Sequence, residues 1–229
     1  MPRFTDDLRR ACASTWAASH AHPFVRGIAD GSLDEARFRW FLRQDYLYLG
    51  EYARALALAG AHAPTEALAV EFARRAQATL EAEMALHRTF AAEWGVTPEQ
   101  LAAERPALET RAYADFITAS ASTGGFPAAA AALLPCVWSY VELGAALASG
   151  PRSPDERYAR WIEAYASAEQ AELADSFRTI VDDVAAEGGE ATRQSMRDAF
   201  AESSLHELAF WDMAWRGDPR PGERDRGSA

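Results

Sequence analysis

The chain has 229 residues, 49% of them hydrophobic, enough to bury the core of one large domain. Its 23 basic residues are all Arg and its 34 acidic residues bring the formal charge to −11, a balance that repels phosphate backbones and speaks against a nucleic-acid partner. Two cysteines, Cys12 and Cys136, are too few for a disulfide framework, and neither a Cys-x-x-Cys pair nor a paired Cys/His zinc pattern occurs, so a reducing compartment is expected.

From Phe4 to Arg10 the chain carries four charged side chains and no apolar stretch of signal-peptide length, and no run approaches a membrane span. A cytoplasmic protein with no membrane partner is expected. Ala, Leu, Glu and Arg dominate, and apolar residues recur at three and four spacing, so nearly every segment predicts helix and none predicts strand. Phe4 to Ala21 predicts the first helix, with Thr5-Asp6-Asp7 as its capping region, and His22-Pro23 opens a short second one ending near Asp30-Gly31. Ser32 and Asp34 cap a long helix from about Glu35 to His62; Pro64-Thr65-Glu66 starts another that reaches Trp94 before Gly95 ends it. Thr97-Pro98-Glu99 begins a short helix, Pro106 one that runs through Ser120, and Ser122-Thr123-Gly124-Gly125 is a break. After the segment containing Cys136, Gly150-Pro151-Arg152-Ser153-Pro154 is the next break. Helices over Arg157 to Tyr165, Ser167 to Ala186 and Ala191 to Trp215 follow. Residues 1–216 therefore read as one all-helical domain, and 217–229, rich in Pro, Gly and charge, as a disordered tail.

Three places could carry chemistry. Leu133-Leu134-Pro135-Cys136 is read as the opening turn of a helix, where partial positive charge and free N–H donors favour thiolate over thiol. Tyr140 would share the face of Cys136. A free cysteine is more often a small buried filler, and that alternative stands beside the nucleophile. Asp45 lies in Arg43-Gln44-Asp45-Tyr46-Leu47-Tyr48, within a strongly aromatic helix, where a carboxylate needs specific hydrogen-bond partners; Tyr48, three residues on, can reach the same ligand. The competing reading is a solvated helix acid beside core aromatics. Glu207, Phe210 and Trp211 share a face of the last helix, so Glu207 is either at a boundary reaching water or held where desolvation raises its pKa toward that of a working acid. Tyr113 and Tyr165 alone read as core aromatics.

Together these segments resemble the TenA/thiaminase II family, aminopyrimidine aminohydrolases with a haem-oxygenase-like multi-helix bundle. The resemblance runs nearly end to end. It is carried by His22-Pro23-Phe24-Val25-Arg26-Gly27, Phe38-x-x-Phe41-Leu42-x-Gln44-Asp45-Tyr46-x-Tyr48, Tyr113, Leu134-Pro135-Cys136-x-x-x-Tyr140, Trp161-Ile162-x-x-Tyr165 and Glu207-x-x-Phe210-Trp211-Asp212. The resemblance implies Cys136 as nucleophile, Glu207 as acid/base carboxylate and Asp45 as the group that anchors the pyrimidine. Tyr48, Tyr113, Tyr140, Tyr165 and Phe210 would line the pocket. It also implies the cysteine branch of the family, thiamin salvage, a homotetramer, and no metal or organic cofactor. The expected reaction converts 4-amino-5-aminomethyl-2-methylpyrimidine, or thiamin, to 4-amino-5-hydroxymethyl-2-methylpyrimidine.

Two other classes compete. A metal-dependent oxidase of the same fold could draw on Glu81, Glu83, His87, Glu142, Glu169 and Glu172, although Met84 stands where a Glu-x-x-His pair would need its Glu. A non-enzymatic regulatory binding protein is the third, but the basic surface that direct DNA regulation needs is missing.

Overall fold

Most of the caps read from the sequence start their helices in the computed structural model, which describes residues 3–218. The Asp34 carboxylate accepts from the Ala36 and Arg37 amides, Thr65 from Leu68, and Thr97 and Gln100 form a reciprocal capping box. These open α4 (Glu35–Ala61), α5 (Glu66–Ala78) and α7 (Pro98–Ala102), while Asp155 and Ser167 cap α10 (Glu156–Tyr165) and α11 (Ala168–Glu187). The remaining helices are α1 (Phe4–Ala11), α2 (Ala13–His20), α3 (Pro23–Asp30), α6 (Met84–Glu93), α8 (Leu108–Thr123), α9 (Gly125–Ala148) and α12 (Glu190–Arg216). No strand occurs among the described residues.

Several boundaries differ from the sequence reading, each for a local reason. The first helix divides at Cys12, and the bend directs Trp16 Nε1–H onto Ser204 Oγ at 3.0 Å. Thr5-Asp6-Asp7 does not cap α1; the Thr5 amide donates instead to Asp182 Oδ1 at 2.8 Å. α8 begins at Leu108 rather than Pro106, because the Ala107 amide and the Thr110 hydroxyl both donate to Gln44 Oε1. The expected helix from Pro64 to Trp94 is interrupted by a π-helical turn, Thr79–Glu83, whose wider winding re-aims the residues that follow. The disordered tail expected at 217–229 lies outside the described residues from 219 onward.

The largest correction concerns α9. Cys136 is not on an opening turn: the helix starts at Gly125 and carries Pro135 inside it, so the thiol sits mid-helix, out of reach of the amino-terminal dipole. α9 is the central element, packed by α4, α8, α10, α11 and α12, with Ala128 to Leu134 all buried. Contrary to the sequence reading, it is long and apolar enough by length and composition to cross a membrane. Its place at the centre of the bundle accounts for that character. Pro135 withholds one backbone donor, and the Tyr52 and Ser203 hydroxyls donate to the neighbouring carbonyls of Leu133 (3.0 Å) and Ala132 (2.7 Å). The segment bearing Cys136 is thereby tied to both α4 and α12.

Candidate active site

Five elements bring the candidate residues together: α4 supplies Asp45 and Tyr48, α8 Tyr113, α9 Cys136 and Tyr140, α10 Tyr165, and α12 Glu207 and Phe210. Asp45, Cys136, Tyr140 and Tyr165 line one narrow pocket, joined by Glu83 and Gln170. Its free space, about 20 Å³, is room for one water molecule, so a six-membered ring enters only if rim side chains part. Tyr48, Tyr113, Phe210 and Glu207 do not line this space; the three aromatic ones pack into a wall of their own. Tyr48 stacks on Tyr113 with centroids 4.5 Å apart and leans on Phe210 at 5.9 Å, while Tyr140 packs between Tyr165 and Trp211. Glu207 borders a second small cavity, against Trp16, His20, Ser139 and Trp211, rather than the space beside Cys136.

Tyr165 owes its place to Gly144. A Cβ added at Gly144 would lie 2.8 Å from the Tyr165 Cβ and backbone, so only glycine lets the end of α10 press this closely on α9. Gly144→Ala is expected to push Tyr165 away and raise KM for a ring substrate about threefold to thirtyfold, with the melting temperature lowered; kinetics and a thermal melt measure both.

Cys136 is a partly buried thiol and Cys12 a buried one, and neither forms a disulfide. Burial pushes the Cys136 thiol well above its ordinary value, and the nearby carboxylates of Glu207, Glu83 and Asp45 push it further in the same direction. The resting sulfur is therefore protonated, the reverse of what a helix amino terminus would produce. The Tyr48 hydroxyl acts in the opposite sense on the sulfur, though it is buried and makes no hydrogen bond of normal geometry.

Glu207 is 5% exposed. Burial raises its pKa from the ordinary 4.5 to about 8; the Tyr113 hydroxyl opposes the shift and the Asp45 charge adds to it. Tyr113 OH lies 2.7 Å from Glu207 Oε1 and 2.9 Å from Ser203 Oγ, and Ser203 donates to the Ala132 carbonyl. The Tyr113 hydroxyl donates to Glu207 Oε1, so it steadies the ionised form and limits the rise in pKa that burial imposes. His206, directly before Glu207, stacks on Tyr113 with centroids 5.2 Å apart and only backs the wall.

Asp45 finds the partner that its burial demands. His87 Nε2 is 2.7 Å from Asp45 Oδ2, and His87 Nδ1 is 2.9 Å from the Glu83 carbonyl oxygen. A carbonyl only accepts, so Nδ1 carries a hydrogen, and Nε2 meets the Asp45 carboxyl group, a pairing that favours the charged ring. Burial opposes that charge, but the Asp45 hydrogen bond and charge prevail and raise the His87 pKa. Sequence reading placed Glu83 and His87 only in a possible metal set. Nothing in their local pattern announces the π-helical turn that aims them at Asp45, and no group of three or more His, Cys, Asp or Glu side chains among the described residues converges to hold a metal.

Comparison with known proteins bears on the family and the fold. A protein of Halalkalibacterium halodurans named aminopyrimidine aminohydrolase is 38% identical over 213 residues, spanning 93% of this chain and 95% of the relative. The solved structure of a TenA homologue from P. horikoshii superposes with a TM-score of 0.87 at 33% identity, covering 95% of this chain and all of that one. A Shewanella denitrificans domain described as having a heme oxygenase-like fold matches with a TM-score of 0.73 at 14% identity, covering 93% of this chain and 92% of that domain, a likeness of fold alone. The bundle is haem-oxygenase-like, as the resemblance implied. The model of the TENA/THI-4/PQQC family matches residues 9–217, nearly the whole described chain, and the protein belongs to that family.

Proposed function

We propose that this protein is an aminopyrimidine aminohydrolase of the thiaminase II type, acting in thiamin salvage. In this reading it hydrolyses 4-amino-5-aminomethyl-2-methylpyrimidine, and thiamin, to 4-amino-5-hydroxymethyl-2-methylpyrimidine. The observation that carries this is the juxtaposition of one thiol with two acid groups: Cys136 shares a pocket with Asp45 and lies within the electrostatic reach of Glu207, whose pKa burial raises. The name carried by the H. halodurans relative supports the substrate class.

The aminopyrimidine is a weak electrophile until a ring nitrogen is protonated. Glu207 donates its proton to the ring nitrogen beside C2, and the Cys136 sulfur attacks C2, its proton passing to the Glu207 carboxylate just formed. The net step moves the thiol hydrogen to the ring and forms an S–C2 bond, so no free thiolate accumulates beside the carboxylates. The Tyr48 hydroxyl steadies the sulfur as negative charge develops on it. The pair returned by the ring nitrogen expels the group on the exocyclic methylene, as ammonia or the thiazole. Water adds to that methylene, the sulfur leaves C2 and regains its proton, and the ring is aromatic again. Asp45, fixed by His87, accepts from the 4-amino group and orients the adjacent ring nitrogen, while Tyr140 and Tyr165 contact the ring. None of these steps calls on a metal or organic cofactor.

Asp45→Ala is expected to raise KM about 100-fold with a smaller loss of kcat, and His87→Ala about tenfold, because His87 acts through Asp45. His87→Gln, which keeps one donor to Asp45, should recover part of that loss; steady-state kinetics on both substrates measures all three. Product analysis with the purified protein and either substrate tests the activity itself, and no release of the hydroxymethyl product from either would overturn the reading. The metal-oxidase alternative gains nothing from His87, both of whose ring nitrogens are engaged. A cytoplasmic homotetramer completes the proposal, supported by the family resemblance and by exposed Leu108 and Leu205 on the bundle surface. Light scattering after size exclusion tests the assembly.

A further inference from the structure

Glu83 is the acid in the pocket that the mechanism above leaves unused. It ends the π-helical turn, where its backbone carbonyl is spent on His87 while its side chain is left to line the space shared by Asp45, Cys136, Tyr165 and Gln170. Among the described residues, no hydrogen bond and no ion pair reaches its carboxylate. His87, the nearest cation on its own segment, is held by Asp45. Arg75, across the adjoining small cavity, is paired with Glu71 at 2.8 Å and bonded to Ser176 at 2.7 Å. The side chain is recessed, with part of its surface still open to the pocket. A carboxylate so placed lacks a donor, and the matching ligand is a cation that carries N–H groups.

We propose that Glu83 is the subsite for the protonated exocyclic amine of the substrate, and that it favours the aminomethylpyrimidine over thiamin. This rests on the hydrolase reading. Both substrates present a cation at the exocyclic methylene, but only the primary ammonium can donate hydrogen bonds; the thiazolium nitrogen is quaternary and has no N–H. The carboxylate holds the amine as –NH3⁺, so that the C–N bonding pair leaves with a neutral ammonia molecule while Glu83 ends the step unchanged. Burial, with Asp45 adding to it, raises the free carboxyl to about 7, and the approach of an ammonium favours its ionised form.

The test compares kcat/KM for the aminomethylpyrimidine and for thiamin in the wild-type protein, Glu83→Gln and Glu83→Asp, with helical circular dichroism and thermal melts on each. Glu83→Gln is expected to lower the ratio of amine to thiamin efficiency about 10-fold to 100-fold, the range for a charged hydrogen bond lost. Glu83→Asp, which keeps the charge one methylene back, should retain most of the preference and also covers the case in which the Gln variant folds poorly. An unchanged ratio in Glu83→Gln, or equal losses on both substrates, overturns this inference and leaves the hydrolase intact. A wild-type protein that cleaves neither substrate overturns the hydrolase reading, and the inference with it.

Discussion

Replacing Cys136 with Ser is expected to lower kcat for aminopyrimidine hydrolysis by at least about 10³-fold at unchanged helicity, because an alcohol in this environment is a far weaker nucleophile than a sulfur. The result discriminates between functional classes. A regulatory binding protein would bind its ligand equally well after Cys136→Ser, and a filler cysteine could be replaced at the cost of a small cavity alone. The environment also predicts how the thiol behaves towards reagents. Burial, with the nearby acidic groups adding to it as they ionise, holds it protonated, so alkylation by iodoacetamide should be slow at neutral pH and accelerate as pH rises. Fast modification at pH 7 would contradict the resting thiol, and a Ser variant with more than about a tenth of wild-type kcat would remove Cys136 from the chemistry.

Glu207→Gln is expected to reduce kcat about 10²-fold to 10⁴-fold, the usual contribution of a general acid, with KM much less affected. Because the carboxyl must be protonated to donate, wild-type activity should fall as pH rises through about 8, and the Gln variant should lose that limb. The same group links stability to pH. Unfolded, it titrates near 4.5; folded, near 8. Between those values the native state keeps a proton that the unfolded state has released, so its contribution to stability is full below about 4.5 and is lost as pH climbs to about 8. Glu83 acts in the same sense up to about 7. Glu207→Gln carries no such loss, so its melting temperature relative to wild type should rise by several degrees across that window. A constant difference across that range would mean that the carboxyl is not buried as described.

The two experiments bear on one another. In the proposed mechanism Glu207 donates a proton to the ring and then takes the one leaving Cys136, so removing either stops the same proton transfer, and the double variant should be little worse than the more damaged single one. Asp45 stands apart, since it holds the ring without exchanging protons with the sulfur.

Helical class, most caps and the linear order of the candidate residues were legible in the sequence, because 3.6-residue periodicity and capping chemistry act over a few neighbours. Asp34, Thr65 and Thr97 start their helices for reasons visible within four residues of each. The need of Asp45 for a partner was legible too, since a carboxylate among Trp40, Phe41 and Tyr48 cannot stay alone. That the partner is His87, 42 residues away, was not, because the π-helical turn that aims it has no local signature and depends on how α4, α5 and α6 pack. The state of Cys136 was misread for a related reason. Pro135 looks like a helix start in one dimension, whereas the buried alanines of α9 and the hydroxyls of Tyr52 and Ser203 carry the helix straight through it. Sequence by itself determined which residues are candidates for the chemistry; only the packing of five helices decided their electrostatic surroundings, since pKa shifts in a buried cluster come from groups distant in the chain and adjacent in space.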